Sequence, residues 1–79
     1  MNQQIQIEQS LAKWAETLEI SQSTLGKWTY AMGLSAPFDN SKMITALSYG
    51  LGTAERARGA AKTNAQTNIE KIERALQWL

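Results

Sequence analysis

Apolar side chains recur at every third or fourth position through most of the chain, which is the period of an amphipathic α-helix. The first such segment, residues 7–19, has an apolar face made of Ile7, Leu11, Trp14, Ala15 and Leu18. Ser21 can accept a backbone N–H bond and so predicts the start of a second helix. Gly33 predicts where that helix ends, because glycine readily takes the left-handed backbone that closes a helix.

Two further helices are predicted in the second half of the chain. Polar residues offer caps for a third helix over residues 41–49, which Gly50 and Gly52 are expected to end. Thr53 is expected to cap a fourth helix that continues to the last residue, with only Gly59 as an internal glycine. The isoleucines near the N-terminus leave open whether that end is a short extended arm or the frayed start of the first helix.

The first two predicted helices meet the spacing that a helix-turn-helix requires. Two short helices that cross over a tight turn need a small residue at their contact, and Ala15 is that residue. The expected apolar positions are filled by Trp14, Leu18, Ile20, Leu25 and Trp28. Glu19 stands at the turn position where glycine is usual, and a non-glycine residue at positive φ costs about 1 kcal/mol there. We therefore expect a turn that is strained or slightly different in geometry.

Residues 11–28 resemble the helix-turn-helix of phage and plasmid regulators. Residues 31–37 look like the segment that closes this motif in excisionase-like, MerR-like and small-terminase DNA-binding domains. The resemblance implies that the second helix enters the major groove of double-stranded DNA. The DNA-binding residues it implies in this chain are Ser21, Gln22, Ser23, Thr24, Lys27, Thr29 and Tyr30.

Side-chain chemistry assigns different roles within this implied set. Gln22 can form a bidentate contact with adenine, and Ser23 can read either donors or acceptors on a base edge. Thr24, Lys27, Thr29 and Tyr30 suit phosphate contacts. Gly26 costs about 0.8–1 kcal/mol relative to alanine inside a helix, so a close approach of DNA or another helix would account for it. The alternative is that residues 11–32 are only a helical hairpin with a solvated polar face.

The C-terminal segment carries a narrow apolar stripe that predicts a dimerisation seam. Its members are Ala61, Ala65, Ile69, Ile72, Leu76 and Leu79. The alternative left open is that this helix folds back to complete a four-helix bundle. Trp78 lies off the stripe, and because an exposed terminal tryptophan would be costly, it predicts a contact.

These elements predict an all-α fold in one compact domain. Its head of about three helices, with the helix-turn-helix, occupies residues 1–52, and a long oligomerisation helix occupies residues 53–79. The net charge of +1 is low for a nucleic-acid binder, so the few cations must share one face or be pooled by a dimer. Arg56, Arg58 and Lys62 form the one dense basic cluster, suited to phosphates beside the recognition helix or to a solvated helix face.

Composition argues against catalysis. The chain has no cysteine and no histidine, so zinc is not expected and the commonest general base is missing. The acidic residues are scattered and no glycine-rich phosphate loop is present, so we expect a protein with no enzyme activity, cofactor or metal. No apolar run reaches the roughly 18 residues of a membrane span, and the start of the chain lacks a signal-peptide pattern. We expect a cytoplasmic protein with no membrane contact.

Three functions remain open. The first is a sequence-specific transcriptional regulator of phage or plasmid type that binds DNA as a homodimer. The second keeps the DNA contact within packaging or partition machinery, where the last helix builds a larger homo-oligomer. The third is a small helical inhibitor or adaptor that binds a protein of a host system.

Overall fold

The computed structural model describes residues 8–79 and consists of four helices. They are α1 (Leu11–Leu18), α2 (Gln22–Ala31), α3 (Asn40–Glu55) and α4 (Ala61–Trp78). No strand occurs in residues 8–79, where Gln9 and Phe38 form an isolated antiparallel bridge. The predicted all-α fold is confirmed. The proposed N-terminal arm lies largely outside the described residues. The predicted start of the first helix at residue 7 is wrong, because Gln9 forms the bridge, Ser10 has an extended backbone and α1 begins only at Leu11.

Polar side chains begin the first three helices. The Ser10 hydroxyl accepts the N–H of Lys13 at 3.2 Å, and the Ser21 hydroxyl accepts the N–H of Thr24 at 3.2 Å. At the start of α3, the Asp39 carboxylate accepts a backbone N–H in the same way, at 2.9 Å. Each cap satisfies a donor that has no partner within its helix. The predicted cap at Ser21 is confirmed.

Helices α1 and α2 both end in a left-handed residue, but the two residues differ. After α2 this residue is Gly33 at φ 67°, as expected. After α1 it is Glu19, with φ 59° and ψ 36°, so a non-glycine residue takes the left-handed conformation at the turn position where glycine is usual. The Ile20 N–H reaches the Ala15 carbonyl at 3.1 Å, and the Leu34 N–H reaches the Thr29 carbonyl at 2.9 Å. These bonds give both ends the Schellman pattern.

Helix α3 continues past both glycines that were expected to end it, so the predicted end at residue 49 is wrong. Gly50 lies inside the helix because the Trp28 ring packs directly against its backbone. A Cβ built at Gly50 would lie 2.5 Å from ring atoms of Trp28. Glycine here permits close packing of α2 on α3 and does not terminate a helix.

The predicted unbroken helix over residues 53–79 is also wrong. Thr53 lies inside α3, so the proposed boundary between residues 52 and 53 falls within a helix. The chain then turns at residues 56–60, where Gly59 adopts φ 67°, and α4 begins at Ala61. Helix α3 has ended before this glycine, and the left-handed Gly59 belongs to the turn that lets α4 pack back on α3 and α1.

One hydrophobic core joins all four helices. Its largest fully buried side chains are Trp14, Leu25, Met43, Leu47 and Ile72. The Trp14 indole N–H donates to the Phe38 carbonyl at 2.8 Å, so its one polar atom is satisfied. The Trp78 ring stacks on Trp14 with centroids 6.5 Å apart, which is the contact expected of that terminal tryptophan.

The predicted dimerisation seam is largely used inside the chain. Ala65, Ile72 and Leu79 are buried in the core, whereas Ile69 and Leu76 are half-buried. Ala61 is exposed. The chain therefore has the fold-back arrangement that the sequence left open, because packing on α3 and α1 covers the large apolar side chains of α4.

None of the helices in residues 8–79 has the length and apolar character that a membrane span needs.

Candidate nucleic-acid interface

Helix α2 presents several of the implied DNA-binding residues to solvent. Gln22 and Ser23 are exposed in its first turn, Lys27 is exposed one turn later, and Tyr30 is 87 % exposed near its end. Ser21 is also exposed, and its hydroxyl donates to the Thr24 hydroxyl at 2.7 Å while it caps the helix. Cap and first turn therefore form one ordered polar surface.

Thr29 does not belong to this surface, and its expected exposure is wrong. It is only 4 % exposed, and its hydroxyl donates to the Gly26 carbonyl at 3.0 Å. The reason is helical periodicity: Thr29 lies four positions after Leu25 and next to Trp28, both of which point into the core. We leave Thr29 out of the proposed interface.

Nothing within residues 8–79 requires glycine at position 26. Among these residues, a Cβ built there would meet only Leu11 Cδ2 at 3.5 Å, an ordinary van der Waals contact. The close approach of another helix, one of the two explanations offered by the sequence, is therefore not found in the described part of the chain.

A groove separates α2 from α4. Both helices pack near α3, but no Cα atom of α2 lies within 8 Å of a Cα atom of α4. One end of the groove, about 250 Å³, is lined mainly by apolar side chains, including Trp28, Ala54, Ala57, Ala61 and Ala65. The other end, about 320 Å³, is lined by Ser21, Thr24, Asn64, Thr67, Asn68 and Lys71. Thr24, Asn64 and Asn68 line both ends, so the groove is continuous.

The groove is free of carboxylates and lies beside a cluster of cations. No Asp or Glu lines either end. Lys27 lines the wall formed by α2, and Arg56, Arg58 and Lys62 are exposed on the turn and helix start that also contribute Ala57 and Ala61. Helix α2 and residues 56–69 hold these four of the chain's eight Lys and Arg residues and none of its seven acids. The net charge of the whole chain is low, but positive charge exceeds negative charge in these two segments.

Most of the remaining cations have structural roles. Lys13 pairs with Glu16 at 3.0 Å. The Lys42 ammonium donates to the carbonyl oxygens of Ser35 and Pro37, and the Lys71 ammonium donates to the Glu19 carbonyl. In residues 8–79, by contrast, none of the four cations beside the groove forms an ion pair.

The polar residues of α4 that line the groove were missed by the sequence argument. Asn64, Thr67, Asn68 and Lys71, here called the α4 polar stripe, stand at positions i, i+3, i+4 and i+7. That spacing puts them on one helix face, so the signal was present. It was overlooked because only the apolar stripe of this helix was followed.

Within residues 8–79 no three acidic side chains group closely enough to hold a metal ion.

Compared with protein-family models, curated proteins and solved structures, the chain matches nothing.

Proposed function

We propose that this protein binds double-stranded DNA in a sequence-dependent manner, with α2 as the recognition helix of a helix-turn-helix. The observation that carries the proposal is the exposed polar surface of α2, which contains no acidic residue and borders a groove whose lining has no carboxylate, with Arg56, Arg58 and Lys62 exposed nearby. A polyanion is the partner that such a charge distribution favours. The biological role that fits best is a small transcriptional regulator of phage or plasmid type, acting by binding and not by catalysis.

The exposed side chains divide between base reading and positioning. Gln22 and Ser23 lie at the N-terminal end of α2, the part of a recognition helix that contacts base edges. Lys27 and Tyr30 lie further along and suit phosphate contacts, which fix the register on the duplex. Arg56 and Arg58 add phosphate contacts from the turn before α4. Binding with this composition weakens as salt rises.

A homodimer remains part of the proposal, but its contact must differ from the predicted seam. One copy presents one α2, so a palindromic site requires two copies. The buried Ile72 and Leu79 are committed to the core of a single chain. A packaging or partition role would instead require a larger homo-oligomer, which a mass measurement distinguishes from a dimer.

Selection of bound duplexes from random DNA, coupled to a mass measurement of the complex, tests the proposal. We expect enrichment of a common sequence and affinity that falls steeply with added salt. Failure to bind any duplex, even at low salt, would overturn it.

A second candidate is an inhibitor or adaptor that binds a host protein. It is favoured by the exposed apolar surface at the end of α2, where Tyr30 is 87 % and Met32 is 42 % exposed. Specific stoichiometric binding to one host protein, lost in Tyr30→Ala and accompanied by no DNA binding, would select this function.

A further inference from the structure

We propose that the groove between α2 and α4 holds the sugar–phosphate backbone of one DNA strand, so that the α4 polar stripe is a second DNA-contacting surface. This inference rests on the proposed function and adds a binding site that lies on a different helix. It assigns α2 to the bases and the groove to the backbone beside them.

The position of the groove suits a backbone strand. A helix in the major groove of DNA has a phosphate backbone on each side of it. Helix α4 stands across an open groove from α2, with Ser21 and Thr24 on one wall and the α4 polar stripe on the other. A strand that borders the major groove would therefore pass between the two helices.

The chemistry of the groove suits phosphodiester. The side chains lining its polar end carry hydroxyl, amide or ammonium donors, the groups that proteins use for DNA phosphates. No carboxylate is present to repel a phosphate. The alanines at the other end, including Ala57 and Ala61, allow the apolar faces of the sugars to approach the helix closely.

Three of the four residues of the α4 polar stripe form no contact that the fold requires, whereas Lys71 also donates to the Glu19 carbonyl. Asn64 and Asn68 form no side-chain hydrogen bond within residues 8–79, and the Thr67 hydroxyl reaches only the Thr63 carbonyl in its own helix, at 3.4 Å. Asparagine and threonine are weaker helix formers than alanine, so their presence lowers the helical stability of this part of α4. Stability of the fold does not account for these polar residues, whereas DNA binding does.

Charge complementarity selects DNA over a second copy of this chain as the occupant. A helix that packed in the groove would have to lie beside Lys27 and the exposed Arg56, Arg58 and Lys62, which suit a polyanion better than the apolar face of a near-neutral chain.

Site-directed cleavage of bound DNA tests the inference, because the chain contains no cysteine and each introduced cysteine is unique. Asn68→Cys places the label in the groove. Gln66→Cys is the matched control, since residue 66 is exposed on α4 and about 200° around the helix from residue 68. Ser23→Cys marks the bases beside α2. Each variant is coupled to an iron–EDTA reagent and bound to the selected duplex.

We expect Asn68→Cys to cut the backbone next to the positions marked by Ser23→Cys, several-fold more strongly than Gln66→Cys does. If DNA is bound but the two α4 variants cleave it equally and weakly, the inference is overturned and the proposed function is left intact. Crosslinking of two Asn68→Cys chains through the groove would also overturn it, in favour of a second copy. Absence of DNA binding by the unmodified protein would overturn both proposals.

An affinity measurement supports the same distinction. The double variant Asn64→Ala and Asn68→Ala should bind the duplex about tenfold more weakly, as expected for lost hydrogen bonds to a charged group. Alanine favours helix, so this loss cannot come from unfolding. Gln66→Ala should leave affinity unchanged. A double variant that binds as tightly as the Gln66→Ala control would contradict the inference.

Discussion

The two halves of α4 are built alike and packed differently. In the C-terminal half, Ile72, Ala75 and Leu79 are buried, and Trp78 stacks on Trp14. In the N-terminal half, only Ala65 is buried, and the helix borders an open groove. Both halves carry a stripe with helical spacing, but the stripe begins with the alanines Ala61 and Ala65 and becomes large only from the half-buried Ile69 onward. The small side chains at the start of α4 leave an open groove, and the larger ones of the C-terminal half close the core.

The largest expected effect comes from the packed half. Ile72 is fully buried, so Ile72→Ala should destabilise the protein by about 2–5 kcal/mol, through lost burial and the cavity left behind. Urea unfolding followed by circular dichroism measures this. Gln66→Ala, on the exposed half, should stay within about 0.5 kcal/mol of the original protein.

Because Ile72→Ala removes a large part of the stability expected of a chain of this size, Ile72→Val provides a milder variant that should lose about 0.5–1.5 kcal/mol and stay folded. The difference in stability between Ile72→Val and the original protein should not depend on protein concentration, because Ile72 packs within one chain. A difference that changes strongly with concentration would show that Ile72 stabilises a contact between chains and would remove the distinction between the two halves.

The next effect concerns the opposite wall of the groove, where Trp28 of α2 rests on Gly50. Gly50→Ala would place a Cβ 2.5 Å from a large, buried ring, and overpacking of this kind costs about 1–3 kcal/mol. The higher helix propensity of alanine offsets about 0.8–1 kcal/mol of this cost, so we expect a net decrease in the free energy of unfolding.

Gly52→Ala is the matched control for that loss. Its Cβ would meet only the Arg56 guanidinium at 3.3 Å, which lies at the end of an exposed and flexible side chain. This variant should gain up to about 1 kcal/mol from helix propensity. Equal thermal stability of the two variants would show that the contact between Trp28 and Gly50 does not hold α2 in place.

The smallest effect concerns the turn between α1 and α2, where the Glu19 carbonyl accepts a hydrogen bond from Lys71 of α4. Glu19→Gly should stabilise the protein by about 0.5–1 kcal/mol, since it relieves a left-handed residue at the cost of added freedom in the unfolded chain. The backbone carbonyl that accepts the Lys71 ammonium is retained.

Gly33→Ala should have the opposite sign and a similar size. Gly33 has the same backbone conformation, and a Cβ there would touch nothing within 4 Å, so backbone strain alone is measured. Thermal unfolding distinguishes the pair, because 1 kcal/mol shifts Tm by about 4–8 °C in a domain of this size. Shifts of the same sign would disprove the strained turn at Glu19.

Local signals were sufficient to predict the first half of the fold. The Ser21 cap, the left-handed Glu19 and the Gly33 stop all depend on neighbours within a few residues, and all are observed. The same reasoning misassigned Gly50, because its role depends on Trp28, which is distant in sequence. It also treated Gly59 as internal to a helix, although local sequence gives no means to distinguish a tolerated helical glycine from one at a reversal.

The candidate site was predicted only on its α2 side. Exposure of Gln22, Ser23 and Lys27 follows from the apolar period of α2 itself. The contribution of Asn68 and its neighbours depends on how α4 folds back, which the sequence left as one of two alternatives. Burial of Thr29 was derivable from its spacing to Leu25, but the resemblance to a recognition helix outweighed that spacing.

The claim that α2 reads DNA is tested most directly by a double substitution on its exposed face. Duplex affinity is measured by fluorescence anisotropy, at one fixed salt concentration, for the original protein and for Gln22→Ala with Lys27→Ala. The matched control is Arg74→Ala with Gln77→Ala, which removes an amide and a cation from exposed positions in the packed half of α4. We predict at least a tenfold loss for the α2 pair, from one base contact and one phosphate contact, and little change for the control. Unchanged affinity in the α2 pair would contradict the account.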